Sequence, residues 1–533
     1  MKMKIELFFL LTLALALHST IALASKSNVS SSTRKVIVVG GGPIGLASAI
    51  LLANAPHFYD VDIYEQTPKE DLCNFNPAIA YMYNVNARGQ RFKKKFQSLQ
   101  DKLLRDGLAA SDTSLVIADG DPTKTISIKK SPTMSKAESY WIPRHKMVNL
   151  LQEGIKEHNN SDDANCGKIE IHSGFTCEAV SPIGDDSSIN VTLKDEKGRD
   201  QDVSGQLIVG ADGVNSQVRE CLKNGSSLFG EWKNFKSKKF AVKKWVSPSV
   251  GLTLKALLLP SGFSIEDSDG SSISLQNRQF AAIRSIKPKD VNSVKFACLP
   301  MTDDATIRPG IVNTRPNHKF WTINSGKEMK EYVLENVKRI SFEMISDEEW
   351  DRFAKQKGTT FPYCQYSPGL QASPENGNCG IVLLGDSAHS FPPDIGQGIN
   401  SGLSDVVQFD KTLRSTEGNL GTKLRAYERI QGPETKALIR IARFGFPYQY
   451  DLPVPILKLR KKLWTANAAT RLLLNKLSFS VIPKCMIMST ADHEVSYRKV
   501  ARKADLTTTM LMTLLLSVVW KSFGKSICAL VGM

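Results

Sequence analysis

Three short segments of this 533-residue chain share one pattern, in which an uninterrupted apolar run ends in a glycine-rich or acidic turn. They lie at 36–39, 207–209 and 381–384. Runs of this kind, rich in Val, Ile and Leu, are typical of strands that are buried on both faces of a parallel sheet. A helical pattern follows each turn. The pattern therefore predicts an α/β core built on a parallel sheet.

The segments between these runs have a different pattern. Residues 280–283 and 294–297 belong to stretches of alternating apolar segments, which predict a second sheet. Residues 452–503 are helical in pattern and basic, with Lys458, Arg460, Lys461 and Lys462 close together. Such a cluster is usually a solvated face, and beside a membrane each cation would add about 1 kcal/mol of attraction to anionic lipid.

Both ends of the chain look separate from the fold. Lys2 and Lys4 precede an apolar stretch at 7–17 and small residues at 22–24, which is the layout of a signal peptide or of an uncleaved anchor helix. Near the other end, 506–520 is a run of fifteen uncharged residues with basic residues on both sides. It would lie in a membrane interface, span with snorkelling lysines, or pack as a buried terminal helix. We expect membrane contact through this tail.

Charge and cysteine content narrow the classes of partner. The formal net charge is +16, but no zinc-finger spacing or other nucleic-acid motif accompanies the lysines and arginines. We therefore expect no nucleic-acid partner, and the charge suits anionic ligands or an acidic membrane surface. Nine cysteines contain no CxxC pair, which is typical neither of a disulfide scaffold nor of a zinc site. We expect no metal, and one or two disulfides stay open if the chain enters the secretory route.

The first turn has the spacing of a dinucleotide site. Gly40, Gly42 and Gly45 form GxGxxG between the first strand and a helix, and Glu65 ends the next strand twenty residues after Gly45. The glycines permit a tight turn, close approach to a diphosphate and close packing of helix on strand, while the positive end of the helix faces the diphosphate. Glu65 is expected to accept ribose hydroxyls.

The other two turns add acids at the same predicted sheet edge. The second strand is followed by Asp212-Gly213, and the third by Gly385-Asp386. After that come His389, Pro392-Pro393 and a glycine-rich loop that opens a helix at Gly398. Ligands of open α/β sheets bind outside the carboxyl ends of the strands. The free amides of that helix can face an anion.

Together the three motifs resemble those of the FAD-dependent aromatic hydroxylases, the single-component flavoprotein monooxygenases. The resemblance runs from about Lys35 to the end of the chain, and it implies FAD as cofactor with NADPH or NADH as co-substrate. It puts the ribityl chain on Asp386 and the isoalloxazine ring against the loop after His389. The residues that match cofactor-binding positions are Gly40, Gly42, Pro43, Ile44, Gly45, Glu65, Gln66, Arg88, Arg144, Asp212, Gly213, Gly385, Asp386, Pro393, Gly396, Gly398, Ile399 and Asn400.

Within that family the motifs at 86–89, 142–144 and 384–389 are most similar to those of the kynurenine 3-monooxygenases. The implied reaction is hydroxylation of a small aromatic substrate with O2 through a flavin hydroperoxide, while the protein orients the cofactor and excludes water. Asn400 and His389 are the candidate catalytic side chains. His389 is expected rather to pack the turn after Asp386, because the sequence implies no acidic partner for it.

Departures from the kynurenine pattern bear on the substrate. The arginine that would grip an amino-acid carboxylate is absent from 112–117, and a tyrosine pair is replaced by Phe444 and Phe446. Two phenylalanines of the flavin loop are Asp394 and Ile395 here. A lost charged hydrogen bond costs about 1.5–3 kcal/mol, enough to change the preferred substrate. We expect a less anionic aromatic than kynurenine.

The resemblance and the patterns predict this organisation: a leader at 1–24, a linker at 25–34, a Rossmann-like FAD-binding domain at 35–109, 140–232 and 361–442, an inserted β-sheet substrate domain at 110–139 and 233–360, a helical carboxyl-terminal region at 443–504 and a membrane-associating tail at 505–533. The signal-like start favours an endomembrane site over the mitochondrial outer membrane. Two alternatives stay open: an FAD-dependent reductase or dehydrogenase of a lipid-like substrate, and a non-catalytic membrane-attached flavoprotein.

Overall fold

The computed structural model describes residues 34–531 except 55, 58, 78–80, 93–95, 131–137, 162–165, 185, 233–234, 287–293, 447–454 and 491. The predicted leader at 1–24 and most of the linker at 25–34 lie outside the described residues.

The strands are β1 (Lys35–Val39), β2 (Asp60–Glu65), β3 (Met82–Val85), β4 (Leu108–Ala109), β5 (Ser114–Ala118), β6 (Ser127–Lys130), β7 (Tyr140–Pro143), β8 (Ile169–Ser173), β9 (Thr176–Pro182), β10 (Ile189–Lys194), β11 (Asp200–Gly205), β12 (Leu207–Gly210), β13 (Lys243–Trp245), β14 (Thr253–Pro260), β15 (Ser264–Glu266), β16 (Ser272–Ser274), β17 (Gln279–Arg284), β18 (Lys295–Cys298), β19 (Ile307–Thr314), β20 (Thr359–Thr360), β21 (Cys364–Tyr366), β22 (Gln371–Ala372), β23 (Gly380–Leu383) and β24 (His389–Ser390).

The α-helices are α1 (Pro43–Ala53), α2 (Lys69–Leu72), α3 (Gln97–Asp106), α4 (Arg144–Asn159), α5 (Gln217–Asn224), α6 (Gly326–Asn336), α7 (Asp347–Lys355), α8 (Gly398–Ser415), α9 (Leu420–Phe444), α10 (Pro455–Leu477), α11 (Met486–Thr490) and α12 (Tyr497–Val531).

The three apolar runs lie side by side in one sheet. Its strand order is β22-β23-β12-β1-β2-β8, and every neighbouring pair is parallel except β22 with β23. Residues 36–39 of β1 are at most 4% exposed, as expected for a central strand covered on both faces. Helix α1 packs against α4 and α8. Because the three strands are parallel, the turns that follow them meet at one edge.

A second sheet has its own core. Its seven strands run in the order β20-β14-β19-β18-β17-β5-β6, so residues 114–130 join strands that begin 120 residues or more later in the chain. Val116, Phe296 and Val312 are buried on the face that packs against Trp350 and neighbouring apolar residues of α6 and α7. This apolar face is the reason that the alternating segments at 280–283 and 294–297 predicted a sheet.

The carboxyl-terminal region is helical, as predicted. Helix α12 begins against α9, where Arg440 pairs with Asp505 at 2.5 Å. Beyond that contact, the α12 side chains Leu506, Leu514, Leu516 and Trp520 are more than 60% exposed. Among the described residues, no helix combines the length and apolar character that crossing a membrane requires. The mixed α/β architecture with a helical end is the fold class that the sequence predicted.

Candidate active site

The glycine turn after β1 is built by close backbone contacts. Gly40 has φ +109°, and a Cβ built on it would lie 2.5 Å from the Ala211 carbonyl oxygen. A Cβ on Gly45 would lie 1.9 Å from the Gly40 carbonyl oxygen. Gly42, the residue that caps α1, has no atom within 4 Å of the corresponding position. Gly40 and Gly45 therefore close the turn, and Gly42 leaves open space in front of the helix amino terminus.

Glu65 holds the same turn. Its Oε2 accepts a hydrogen bond from the Gly41 amide at 2.6 Å, and its Oε1 accepts from the amide and hydroxyl of Thr67. The side chain is 9% exposed, and the neighbouring Gln66 is exposed. A carboxylate has about four acceptor sites, so Glu65 retains capacity for a ribose hydroxyl. The structural role of Glu65, which holds Gly41 in place, was not predicted from the sequence.

The second motif presents a partly unsatisfied carboxylate. Asp212 Oδ2 accepts a hydrogen bond from the Val218 amide in the first turn of α5, whereas its buried Oδ1 has no partner among the described residues. Gly213 has φ +80°. Burial raises the pKa of Asp212, against the lowering effect of its hydrogen bonds. An unsatisfied buried acceptor marks a place where a ligand donor would be stabilising.

Arg219, which the sequence reading did not single out, joins the second and third motifs. Its guanidinium donates to the Ser387 carbonyl at 2.6 Å and to the Val214 carbonyl at 2.8 Å. Burial lowers the pKa of Arg219, and the charge of Asp212 opposes that shift. The signal was present in the sequence as an arginine one turn into α5, but its partner lies 168 residues away.

Ile44 and two glycines bring the first and third motifs together. A Cβ on Gly385, which has φ +64°, would lie 3.0 Å from the Ile44 side chain, and one on Gly402 would lie 2.6 Å from it. Asp386 follows Gly385 and is exposed at the sheet edge. Thus the Ile44 side chain fills space between α1 and α8, while Asp386 stays accessible beside the open glycine turn.

His389 has an acidic partner, Asp405, which the sequence did not imply. Its Nε2 lies 2.7 Å from Asp405 Oδ2, and both side chains are 1% exposed. Asp405 also accepts from the Gly385 amide at 2.9 Å and from Gln431 at 2.6 Å. Burial would lower the pKa of His389, but Asp405 raises it overall. The pair holds the Gly385-Asp386 turn in place through the Gly385 amide, which agrees with a packing rather than a catalytic role.

Asn400 is a brace rather than a free catalytic group. It is fully buried, and its amide donates to the carbonyls of Asn84 and Gly396 while its oxygen accepts from the Asn86 amide. These bonds tie the loop at 391–398 to β3. On that loop Pro393, Gly396 and Gly398 are exposed, and a Cβ on either glycine would meet no atom within 4 Å. Ile399 behind them is 8% exposed.

Arg88 and Arg144, the two arginines that match cofactor-binding positions, have different surroundings. Arg88 is 4% exposed, donates to the Asp492 and Val495 carbonyls, and lies over the Tyr497 ring at 4.2 Å. Its Nη2 is therefore committed to the carboxyl-terminal region, whereas its buried Nε has no hydrogen-bond partner among the described residues. Arg144 begins α4 and lines a partly open cleft together with Phe75, Tyr81, His145 and Met301. Met82 of β3, Pro143 of β7 and Pro309 of β19 in the seven-stranded sheet also line this cleft.

The residues at this site fit the chemistry of FAD. Gly42, Gly396 and Gly398 are open where side chains would obstruct a ligand, and the free amides of α1 face the same space. Asp386 and the unsatisfied Asp212 Oδ1 offer acceptors for hydroxyl or amide donors. The turns after β1, β12 and β23 contain Gly40, Gly42, Asp212, Gly213, Gly385 and Asp386, the first turn of α1 contains Pro43, Ile44 and Gly45, and the loop that leads into α8 contains Pro393, Gly396 and Gly398. Which of them contacts the cofactor stays a prediction.

One cluster of metal-ligand type lies away from this edge. Asp62, Glu170 and His172 lie close together on β2 and β8. Lys35 is 2.7 Å from Asp62, and Lys168 is 2.6 Å from Glu170. Because lysines already neutralise both acids, we assign no ion to the cluster. The eight described cysteines are free thiols.

Comparison with known proteins also indicates an FAD-binding protein. A family model described as an FAD binding domain matches residues 134–274. Kynurenine 3-monooxygenase of Salinispora arenicola is 22% identical over 447 residues, 83% of this chain and 85% of that protein. The enzyme of the same name from Phaeosphaeria nodorum is 24% identical over 440 residues, 80% of each chain. The crystal structure of the tetracycline destructase Tet(51) has a TM-score of 0.51 at 13% identity and covers 88% of this chain and 98% of that one, a likeness of fold alone.

These matches confirm the resemblance that the three motifs indicated. They extend over about four fifths of the chain. The chain is an oxidoreductase with an FAD binding domain, related to the FAD-dependent monooxygenases.

Proposed function

We propose that this protein binds FAD across the three turns, uses NAD(P)H as reductant and hydroxylates a small aromatic substrate with O2. The carrying observation is the convergence of the Gly42 opening, Asp212 Oδ1 and Asp386 at one sheet edge. The names of the similar curated proteins support the reaction class. FAD, when bound, supplies the redox chemistry and the activation of O2.

The protein's own part is binding and orientation. The amide end of α1 favours a diphosphate, because a helix amino terminus carries about half a positive charge. Asp386 would accept from the ribityl hydroxyls, and Asp212 Oδ1 from a further donor of the cofactor. Asn400 and the His389–Asp405 pair hold the turns on which these contacts depend. A site assembled from braced turns is pre-organised, which reduces the cost of ordering on binding.

The cleft beside Arg144 suits an anionic, planar ligand. Arg144 and His145 provide donors, and Phe75 and Tyr81 provide aromatic surfaces. Burial lowers the pKa of His145, and the neighbouring Lys146 and Arg144 lower it further. We propose that the nicotinamide co-substrate approaches through this cleft. Arg144→Ala should then raise the KM for NADPH by about tenfold with FAD content unchanged, since one charged hydrogen bond is worth about 1.5–3 kcal/mol.

The reaction class is tested with purified, FAD-loaded protein. Phenolic compounds and aromatic amino acids are supplied with NADPH under oxygen that carries a heavy isotope, and the products are analysed by mass. Incorporation of one labelled oxygen atom, together with substrate-dependent NADPH oxidation, is the expected result. A reduced or dehydrogenated product without the label would favour the reductase alternative. Protein that takes up no FAD at all would refute the proposed function.

We also propose that the exposed part of α12 lies along a membrane surface, with an endomembrane location. Leu506, Leu514, Leu516 and Trp520 are the supporting observation, since side chains of this size gain about 1.5–3 kcal/mol each on full burial. Co-sedimentation with vesicles containing anionic lipid, with and without residues 505–533, tests the attachment. Equal binding by both chains, or none by the complete chain, would contradict it.

A further inference from the structure

Asp394 is a buried carboxylate within the loop at 391–398, which we call the flavin loop. Its side chain is 5% exposed, and its Oδ1 accepts a hydrogen bond from the Ser249 hydroxyl at 2.6 Å. Its Oδ2 is also buried and has no hydrogen-bond partner among the described residues. The described part of the chain places no cation within salt-bridge distance of it. One oxygen of Asp394 is thus available to a donor that the protein itself does not provide.

The surroundings of Asp394 are mostly apolar and aromatic, with the Arg443 guanidinium over the Trp245 ring at 5.0 Å. Phe391, Ile395, Cys364 and Tyr366 form one cluster, and the Trp245 ring is stacked on Tyr366 at 5.7 Å. Burial raises the pKa of Asp394 to about 7, although the Ser249 hydrogen bond acts in the opposite direction. Leaving an acceptor unsatisfied in such surroundings destabilises a fold. Buried, unsatisfied carboxylates of this kind are concentrated at functional sites.

The position of Asp394 connects it to the proposed reaction. It lies between the exposed residues Pro393 and Gly396 of the loop that Asn400 holds, and Ser249 belongs to the segment that leads into β14 of the second sheet. The carboxylate therefore lies where this loop meets the segment between β13 and β14. A substrate ring that lies against this loop would bring its substituents towards Asp394.

We propose that Asp394 Oδ2 accepts a hydrogen bond from a ring hydroxyl of the substrate, so that the enzyme selects phenols over aromatic carboxylates. This inference rests on the proposed function. Above its pKa of about 7 the Asp394 carboxylate is ionised, so that it attracts a donor and repels an anion, and both effects strengthen in apolar surroundings. The same side chain would thus exclude benzoate-like rings and recognise phenol-like ones. Ser249 fixes the carboxylate through Oδ1 and leaves Oδ2 for the substrate.

The experiment uses the complete, FAD-loaded protein and three probes of similar ring size: phenol, anisole and benzoate. Phenol carries the donor, anisole lacks it, and benzoate carries an anion. Binding is followed by the change in flavin absorbance, and the ratio of the dissociation constants of anisole and phenol is the readout. The wild type should bind phenol about 10- to 100-fold more tightly than anisole, and benzoate most weakly.

The Asp394→Asn variant should reduce the anisole-to-phenol ratio to within about threefold of unity and improve benzoate binding, because the anionic acceptor is gone. The matched control is Asp410→Asn, the same change at a buried carboxylate near the other end of α8, where His57 and Arg414 contact it. Its ratio should remain that of the wild type. FAD content and thermal midpoint are recorded for each protein.

The outcomes separate cleanly. A wild type that does not discriminate phenol from anisole overturns the inference without any variant, as does an Asp394→Asn protein that binds FAD and keeps the full ratio. A lowered thermal midpoint in an FAD-loaded Asp394→Asn protein with an unchanged ratio assigns the residue a structural role only and also overturns it. If the wild type binds no FAD, or oxidises NADPH without hydroxylating any ring, the proposed function fails instead.

Discussion

Gly45 lies where α1 passes over its own preceding turn, and this geometry gives a quantitative test of the glycine motif. A Cβ on Gly45 would lie 1.9 Å from the Gly40 carbonyl oxygen, whereas real Cβ atoms essentially never approach closer than 3.0 Å. In Gly45→Ala the helix must therefore move by about 1 Å relative to β1. The contacted atom is backbone, so no side chain can rotate to relieve the overlap.

The expected cost follows from overpacking in a core. Forcing an extra methyl group into a tightly packed site costs about 1–3 kcal/mol. At about 2–4 °C per kcal/mol, the thermal midpoint of Gly45→Ala apoprotein should fall by about 2–12 °C. The moved helix would also misdirect its amino-terminal amides, so FAD binding should weaken at the same time.

Gly42→Ala is the matched control, because it makes the same chemical change three residues earlier. Gly42 has φ −71° and ψ 176°, which alanine adopts readily, and no atom lies within 4 Å of the added Cβ. The stability of the apoprotein should change by no more than about 1 kcal/mol. The methyl group would instead occupy the space proposed for the diphosphate, so FAD affinity should fall by tenfold or more.

The assay measures both quantities on both variants. Thermal unfolding of the apoproteins reports stability, and fluorescence titration with FAD reports affinity. The reasoning is refuted if Gly45→Ala unfolds at the wild-type temperature, since the clash would then be absent. It is refuted equally if Gly42→Ala binds FAD as tightly as the wild type, since the open space would then not be the diphosphate site.

Three further predictions concern neighbouring groups. Asp386→Ala should lower FAD affinity by about 1.5–3 kcal/mol in the same titration, and an unchanged affinity would remove Asp386 from the site. The charged pair of His389 and Asp405 stabilises the fold fully below about pH 6.5, the unfolded value, and the contribution is lost as pH rises through the raised folded pKa, so the urea midpoint should fall more as pH rises above about 6.5 for the wild type than for His389→Gln. Kynurenine should be turned over weakly or not at all, because the buried Thr113 stands where an arginine is expected; efficient formation of 3-hydroxykynurenine, measured by mass, would contradict this.

The local parts of the site were determined by the sequence itself. Glycine spacing predicts a turn because only glycine adopts φ +109° without strain, as at Gly40, and because small residues alone fit where α1 crosses the turn. Uninterrupted apolar runs predict buried strands, because both faces of such a strand are covered by other parts of the protein. These two patterns were sufficient to predict the parallel sheet, the glycine turn and the meeting of the three motifs at one edge.

The tertiary structure decided the tasks of individual polar side chains. His389 and Asp405 are sixteen residues apart, Arg219 contacts a carbonyl 168 residues away, and Arg88 contacts carbonyls more than 400 residues away. A hydrogen bond acts only over about 3 Å, so its partner depends on how elements pack rather than on spacing along the chain. For the same reason the sequence could show that Asp394 departs from the family pattern, but only packing against Ser249 and the apolar cluster left its second oxygen unsatisfied.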